Sequence, residues 1–166
     1  AEQARRAASE LAYNMLEIVD GIGCKMDDAP KAVYNMRREA ELNRTLLKNA
    51  TKQMVSVLPT EDVNGCPVSG MVVPGGDRNI LTEAAESVKS KGGVAVLVSV
   101  AETCSVMVAS GNPAVDCRGV LKEGVSAFGG RGGGKPDFAQ GGVQDASVAD
   151  EVLESLLNAV RSALLK

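Results

Sequence analysis

Apolar residues recur at helical spacing through residues 1–60. In residues 1 to about 20 they follow one another at intervals of three and four, which predicts a helix with one apolar stripe. The stripe consists of Ala4, Ala8, Leu11, Met15 and Ile18. Gly21 and Gly23 predict the end of this helix, and Asp27-Asp28-Ala29-Pro30 predicts the start of a second one.

The second helix has a strict heptad repeat, with apolar intervals alternating between three and four. Its positions are Val33, Met36, Ala40, Asn43, Leu47, Ala50, Met54 and Val57. This seam extends over about seven helical turns and contains one polar residue, a pattern typical of helices that pair with other helices. We therefore predict an antiparallel helical hairpin, whose seam either packs within one chain or joins two chains.

The second helix also has a basic side. It consists of Lys31, Arg37, Arg38, Arg44, Lys48 and Lys52. Such a run of charges usually forms a solvated helix face, and a surface that meets phosphate groups is the alternative.

After the turn signal Asn64-Gly65 the pattern changes to short apolar runs separated by helices. Val94–Val100 is almost wholly apolar, as expected of a central strand buried on both faces. The predicted elements are a strand at 66–73, a helix at 77–91, strands at 94–100 and 103–110, a helix at 114–128, a glycine loop at 129–142 and a helix at 148–164. The fold class is therefore α/β: a helical hairpin over 1–60 precedes a small β-α-β-β-α-loop-α domain over 61–166.

Composition limits the chemistry that the chain can perform. The net charge is −3 and aromatic residues make up 2%, so RNA contact would require a local basic patch. There is no histidine, which excludes catalysis by Ser-His-Asp or Cys-His groups and the common histidine zinc sites. We expect neither catalysis nor a cofactor from this segment.

The cysteines indicate a cytoplasmic protein. Cys24, Cys66, Cys104 and Cys117 are widely spaced and predict reduced, mostly buried thiols. No apolar stretch is long enough to span a bilayer, and we expect no membrane partner. The chain begins with Ala1 within an apparent helix, so we expect an excised fragment of a longer protein.

The glycine segment is the most informative part of the chain. Seven of the fourteen residues from Gly129 to Gly142 are glycine, and the segment includes Arg131 and Lys135. Successive exposed amides with two cations can form an anion-binding nest. A tight structural connection, with Asp137 capping the turn, is the alternative. The segment lacks the Gly-Lys-Ser/Thr of a P-loop and follows a helix, unlike a dinucleotide fingerprint.

The segment closely resembles a known signature, Gly-Gly-x-Gly-Gly-Gly-(Arg/Lys)-Pro-Asp-x-Ala-Gln, and fills every fixed position of it. This signature belongs to the C-terminal DHHA1-type domain of alanyl-tRNA synthetases and free-standing alanyl-tRNA editing proteins. The resemblance implies a non-catalytic domain that binds tRNA, namely tRNA-Ala, and forms a homodimer. The parent would be an alanine-tRNA ligase or an Ala-tRNA deacylase.

The resemblance also implies roles for individual residues. The implied tRNA contacts are Gly130, Arg131, Gly132, Gly133, Gly134, Lys135, Asp137 and Gln140. The implied dimer contacts are Val33, Met36, Leu47 and Met54.

Other functions remain open. The domain could serve assembly alone, without RNA contact, or form the substrate-binding lobe of a DHH-family phosphoesterase. The continuation Pro136–Gln140 argues against the phosphoesterase, which usually lacks that string. Phe138, where many synthetases have Met or Leu, favours an editing protein over a synthetase.

Overall fold

The computed structural model describes residues 2–165, without the side chain of Ala4, the first position of the predicted stripe. The chain divides into two compact units, Ala1–Leu46 and Leu47–Lys166. Helix α1 is Glu2–Ile22 and helix α2 is Ala29–Ser56, with a short 3-10 helix, Met26–Asp28, between them. No helix in the described part of the chain is long and apolar enough to cross a membrane.

Between residues 57 and 165 the structure describes six strands and three further α-helices. In chain order they are β1 (Thr60–Val63), β2 (Cys66–Pro74), α3 (Arg78–Ser90), β3 (Val94–Val100), β4 (Cys104–Ser110), α4 (Cys117–Ser126), β5 (Arg131–Lys135), β6 (Phe138–Val143) and α5 (Ala149–Leu164), with a 3-10 helix, Ala146–Val148, before α5. The strands form one sheet in the order β1-β2-β3-β4-β6-β5. Only β2 and β3 pair in parallel, and the other neighbours are antiparallel.

Helices cover both faces of the central strands. On β3, Val94, Val96 and Val98 face α4 and α5, whereas Ala95 and Leu97 face α3. All five are at most 1% exposed, which explains why this strand reads as a continuous apolar run. The sheet is thus the middle layer between α3 and the α4–α5 pair.

Strand β1 forms a hairpin with β2 through Asn64 and Gly65, which both have positive φ, 54° and 80°. This is the backbone that a two-residue hairpin turn requires. The Asn64 side chain donates to the Leu164 carbonyl (3.0 Å), and Arg161 binds the Glu61 carboxylate (2.8 and 3.1 Å). These contacts attach the edge strand to α5.

The C-terminal turns of α2 belong to the second unit. Thr51 is 1% exposed; its hydroxyl donates to the Leu47 carbonyl (2.8 Å) and accepts from the Asp77 amide (3.3 Å). Met54 and Val55 are half-buried against the core cluster under α3. This end of α2 is therefore anchored by its own side-chain contacts.

The predicted α/β fold class, with N-terminal helices before the sheet domain, is confirmed. Three strands were not predicted: β1, and the pair β5 and β6 where a glycine loop was expected. Leu11, Met15 and Ile18 of the α1 stripe are 62%, 45% and 58% exposed, so the structure does not bury this stripe against α2 as the predicted antiparallel hairpin requires.

Candidate functional site

The glycine segment is a β-hairpin at the edge of the sheet. Residues Arg131–Lys135 pair antiparallel with Phe138–Val143, and no described strand lies beyond β5. All five β5 residues are exposed. An extended backbone directs successive amides to opposite edges, so the segment offers outward-facing amides along its free edge and not a coiled nest.

The two faces of β5 differ in how much room they leave. A Cβ on Gly132 would lie 2.6 Å from Leu121 Cδ2 and 2.7 Å from the Gln140 carbonyl, and a Cβ on Gly134 would collide with the Phe138 carbonyl. A Cβ on Gly133 would meet nothing within 4 Å. Packing therefore requires glycine at Gly132 and Gly134 but not at Gly133.

Alternation places Arg131, Gly133 and Lys135 on the face of the sheet opposite α4, which is the face on which α3 packs against β3 and β4. A groove of about 440 Å³ lies there. It is lined by Glu86, Lys89, Gly133, Gly134, Lys135, Asp137, Phe138 and Gln140. At Gly133, therefore, only backbone atoms face this groove.

Helix α3 contributes two cations that reach the hairpin. Lys89 Nζ lies 2.8 Å from Asp137 Oδ2 and 3.5 Å from the Glu86 carboxylate. The hydrogen bond from Lys89 lowers the pKa of Asp137, and the same bond raises the pKa of Lys89. Arg78 donates to the side-chain oxygen of Gln140.

Backbone hydrogen bonds hold the turn between β5 and β6. The Ser110 amide donates to the Asp137 carbonyl (3.0 Å), and the Cys117 amide donates to the Pro136 carbonyl (2.7 Å). The end of β4 and the start of α4 therefore both anchor the turn. On the far side of the Lys89–Asp137 pair a second groove of about 650 Å³ includes Asn112 and Pro113.

All eight predicted tRNA-contact residues lie in or next to this hairpin, because they all fall within residues 130–140. Arg131 and Lys135 make no ion pair within residues 2–165, whereas Asp137 and Gln140 are engaged by α3. Sequence reasoning missed Arg78 and Lys89. The Asp77 cap marks the helix start, but no sequence signal indicates that these side chains reach β6.

The predicted dimer contacts differ in exposure. Val33 and Met36 are 49% and 55% exposed on α2, and Leu47 is 38% exposed. Met54 is half-buried against the core of the α/β unit. Val33 and Met36 are therefore the more accessible of the four.

The thiols do not form a reactive site. Cys66, Cys104 and Cys117 are buried and unpaired, as predicted, and Cys24 is half-buried. Burial raises the pKa of Cys117 to about 12, which keeps this thiol protonated at neutral pH. Within the described residues no three acidic or cysteine side chains converge as a metal site would require.

A profile of the DHHA1 domain matches residues 65–165, which include the hairpin and both of its neighbouring layers. Similar proteins include alanine–tRNA ligases of Methanospirillum hungatei (38% identity over 109 residues, 64% of this chain and 12% of the relative) and Methanoculleus marisnigri (30% over 162 residues, 95% and 18%). The ligase of Xanthomonas campestris pv. campestris is 33% identical over 174 residues, 99% of this chain and 19% of the relative. The chain thus spans less than a fifth of the length of these relatives.

Two solved structures have a similar fold. The C-Ala domain of Aquifex aeolicus alanyl-tRNA synthetase superposes with a TM-score of 0.55 at 20% identity, covering 66% of this chain and all of that one. Thermus thermophilus RecJ gives a TM-score of 0.52 at 16% identity, over 82% of this chain and 20% of that one. At these identities the likeness concerns the fold alone.

The two faces of β5 predict different effects of the same substitution on stability. Gly132→Ala should destabilise the protein by about 1–3 kcal/mol because its Cβ meets Leu121 and the Gln140 carbonyl. Gly133→Ala should stay within about 0.5 kcal/mol of the parent because its Cβ enters open space. Urea denaturation of both variants measures the difference, and equal losses would contradict this assignment of faces.

Proposed function

The chain belongs to the DHHA1 domain family, and we propose that it is the tRNA-binding and dimerising C-terminal domain of an alanine–tRNA ligase. Its similarity to ligases over 95% and 99% of its length supports this parent, as does its span of less than a fifth of theirs. We place the parent in the cytoplasm and take tRNA-Ala as its RNA.

The observation that supports RNA contact is the open face of the β5–β6 hairpin. Arg131 and Lys135 have no carboxylate partner within residues 2–165. They flank Gly133, whose backbone is not covered by a side chain and lines the groove. A phosphate backbone can approach such a strand closely, and two cations that make no ion pair within residues 2–165 favour its charge. Gly130, Gly132 and Gly134 assist indirectly, since they let β5 lie flat on its support.

The proposed domain performs no chemistry itself. It has no histidine, and the buried Cys117 thiol is held in its protonated form. Without a nucleophile beside a base, this hairpin can bind and orient RNA but cannot activate a bond. Aminoacylation would then belong to the rest of the parent protein.

Other parents fit less well. The ligase relatives outweigh Phe138, the single residue that favours a free-standing editing protein. The Pro136–Gln140 string argues against a phosphoesterase lobe, and the likeness to RecJ concerns the fold alone. An assembly role without RNA is an outcome of the titrations below.

Replacing both Arg131 and Lys135 with Ala should weaken tRNA-Ala binding by roughly tenfold or more at moderate salt, because two phosphate contacts are lost. The slope of log affinity against log salt should fall by about two. An anisotropy titration at several salt concentrations measures both quantities.

The matched control removes two exposed cations from α4, on the other face of the sheet, through Arg118→Ala with Lys122→Ala. This control lowers the net charge by the same amount as the Arg131/Lys135 variant, and it should bind tRNA-Ala almost as tightly as the unmodified chain. Equal weakening by both double variants would show that overall charge, and not the hairpin, governs binding. Absence of tRNA binding by the parent chain would leave assembly as its function.

Gly133→Val tests close backbone approach without changing charge. The valine side chain has room in the free protein, so folding should be retained, but it would occupy the space that an RNA backbone enters. We expect at least about a fivefold loss of tRNA affinity with an unchanged salt slope. Unaltered affinity in this variant would remove Gly133 from the interface.

Dimerisation is proposed for the heptad seam of α2. Val33 and Met36 project apolar surface into solvent, and a seam of this kind buries such surface most simply against a second copy. Leu47 and Met54 continue the same repeat toward the α/β unit. Met54 already contacts that unit, so the seam's N-terminal half is the better-supported interface.

Met36→Asp should convert the proposed dimer to a monomer, because pairing would bury a charge in the N-terminal half of the seam. Asn35→Asp adds the same charge at the neighbouring exposed position outside the heptad seam and should leave the dimer intact. Light scattering of both variants gives the masses, and an unchanged mass for Met36→Asp would refute this interface.

A further inference from the structure

Helix α3 reaches the hairpin at two points along its length. Arg78 at its start contacts Gln140, and Lys89 near its end contacts Asp137. These residues are eleven positions apart, which is about 16 Å along a helix. The middle of α3 packs on the central strands through Leu81 and Ala85. Arg78 and Lys89, near the two ends of the helix, therefore reach out to the hairpin.

Lys89 is occupied within the protein. Its side chain is 23% exposed, less than the 54% of Asp137, and it lies within ion-pair distance of two carboxylates. Because Asp137 and Glu86 already offset the charge of this ammonium group, Lys89 would attract a phosphate only weakly. Its geometry suits a bridge between a helix and a turn.

Gln140 is similarly occupied. It stands opposite Gly133 in the register of β5 and β6, and its side-chain oxygen accepts from Arg78. The bridge from α3 therefore ends beside Gly133, where an added Cβ would meet nothing within 4 Å.

We propose that Lys89 and Arg78 are positioning residues that fasten the β5–β6 hairpin to α3, with Asp137 and Gln140 as their anchors and not as nucleotide contacts. The expected effect of these bridges on RNA affinity rests on the proposed function, whereas their expected effect on the stability of the hairpin does not. The two bridges fix the distance between α3 and β5, and so set the width of the groove that Gly133 faces.

A charge-neutral double variant separates positioning from electrostatics. Lys89→Met alone exposes Asp137 as an uncompensated anion, so its weakening of RNA binding has two explanations. Lys89→Met with Asp137→Ala removes one charge of each sign. We expect this double variant to bind tRNA-Ala roughly fivefold more weakly than the parent, with the parent's salt slope, because a support is lost but no phosphate contact.

A charge-conserving pair is the rescue. Lys89→Arg with Asp137→Glu keeps a cation between Glu86 and residue 137, so it should retain most of the affinity that the double deletion loses. Affinity as low as that of the double deletion would contradict a bridging role. Binding of the double-deletion variant at the parent's affinity would overturn the positioning role.

Amide hydrogen exchange reads the hairpin without RNA. The Lys89→Met/Asp137→Ala variant should exchange severalfold faster at those amides of Gly132–Lys135 that bond to β6, while the amides of β3 keep their protection. Gln140→Leu, which removes the other anchor without changing charge, should act in the same way at these amides. The matched control, Arg161→Met with Glu61→Ala, deletes an ion pair at the opposite edge and should leave these amides unchanged.

The two readouts fail independently. If the variant exchanges faster but the unmodified chain does not bind RNA, the bridges are supported and the proposed function is refuted. Unchanged exchange at Gly132–Lys135 would overturn the proposal even if the parent binds tRNA-Ala.

Discussion

Close contact between strand β5 and helix α4 is the constraint on which the hairpin depends. At Gly132 even one added carbon would lie 2.6 Å from Leu121, so the strand can rest on its support only as bare backbone. Because neighbouring positions on a strand face opposite ways, this inward requirement fixes Arg131, Gly133 and Lys135 on the outer face. Packing on one side thus creates the proposed binding surface on the other.

The charges around the hairpin are divided between support and surface. Lys89 and Arg78 are held by partners within the chain, whereas Arg131 and Lys135 have no such partner among the described residues. A chain with net charge −3 can therefore present a local cationic strand. Only this local field would act on a bound phosphate, because screening at physiological salt limits the reach of exposed charges to about 8 Å.

Helix α2 has one repeat and two environments. In the second unit Thr51 is fully buried and Met54 packs on the core, while in the first unit Val33 and Met36 are exposed. A single heptad pattern therefore predicted apolar contact throughout but could not say which partner each part would meet. The contacts of the C-terminal turns are intrachain, and those of the N-terminal turns are proposed to be with a second copy.

Eight of the helices and strands follow from local patterns, since apolar periodicity, the Asp77 cap and the run Val94–Val100 each reflect burial that the fold retains. Strand β1 is short and exposed at its first three positions, and β5 has no apolar residue, so neither has the alternation that would indicate a strand. The glycine signature marked the site, but its glycines became distinguishable only once Leu121 lay behind Gly132 and open space lay before Gly133. The bridges from Arg78 and Lys89 depend on where α3 crosses the sheet, a register between elements distant in sequence that tertiary packing alone decides.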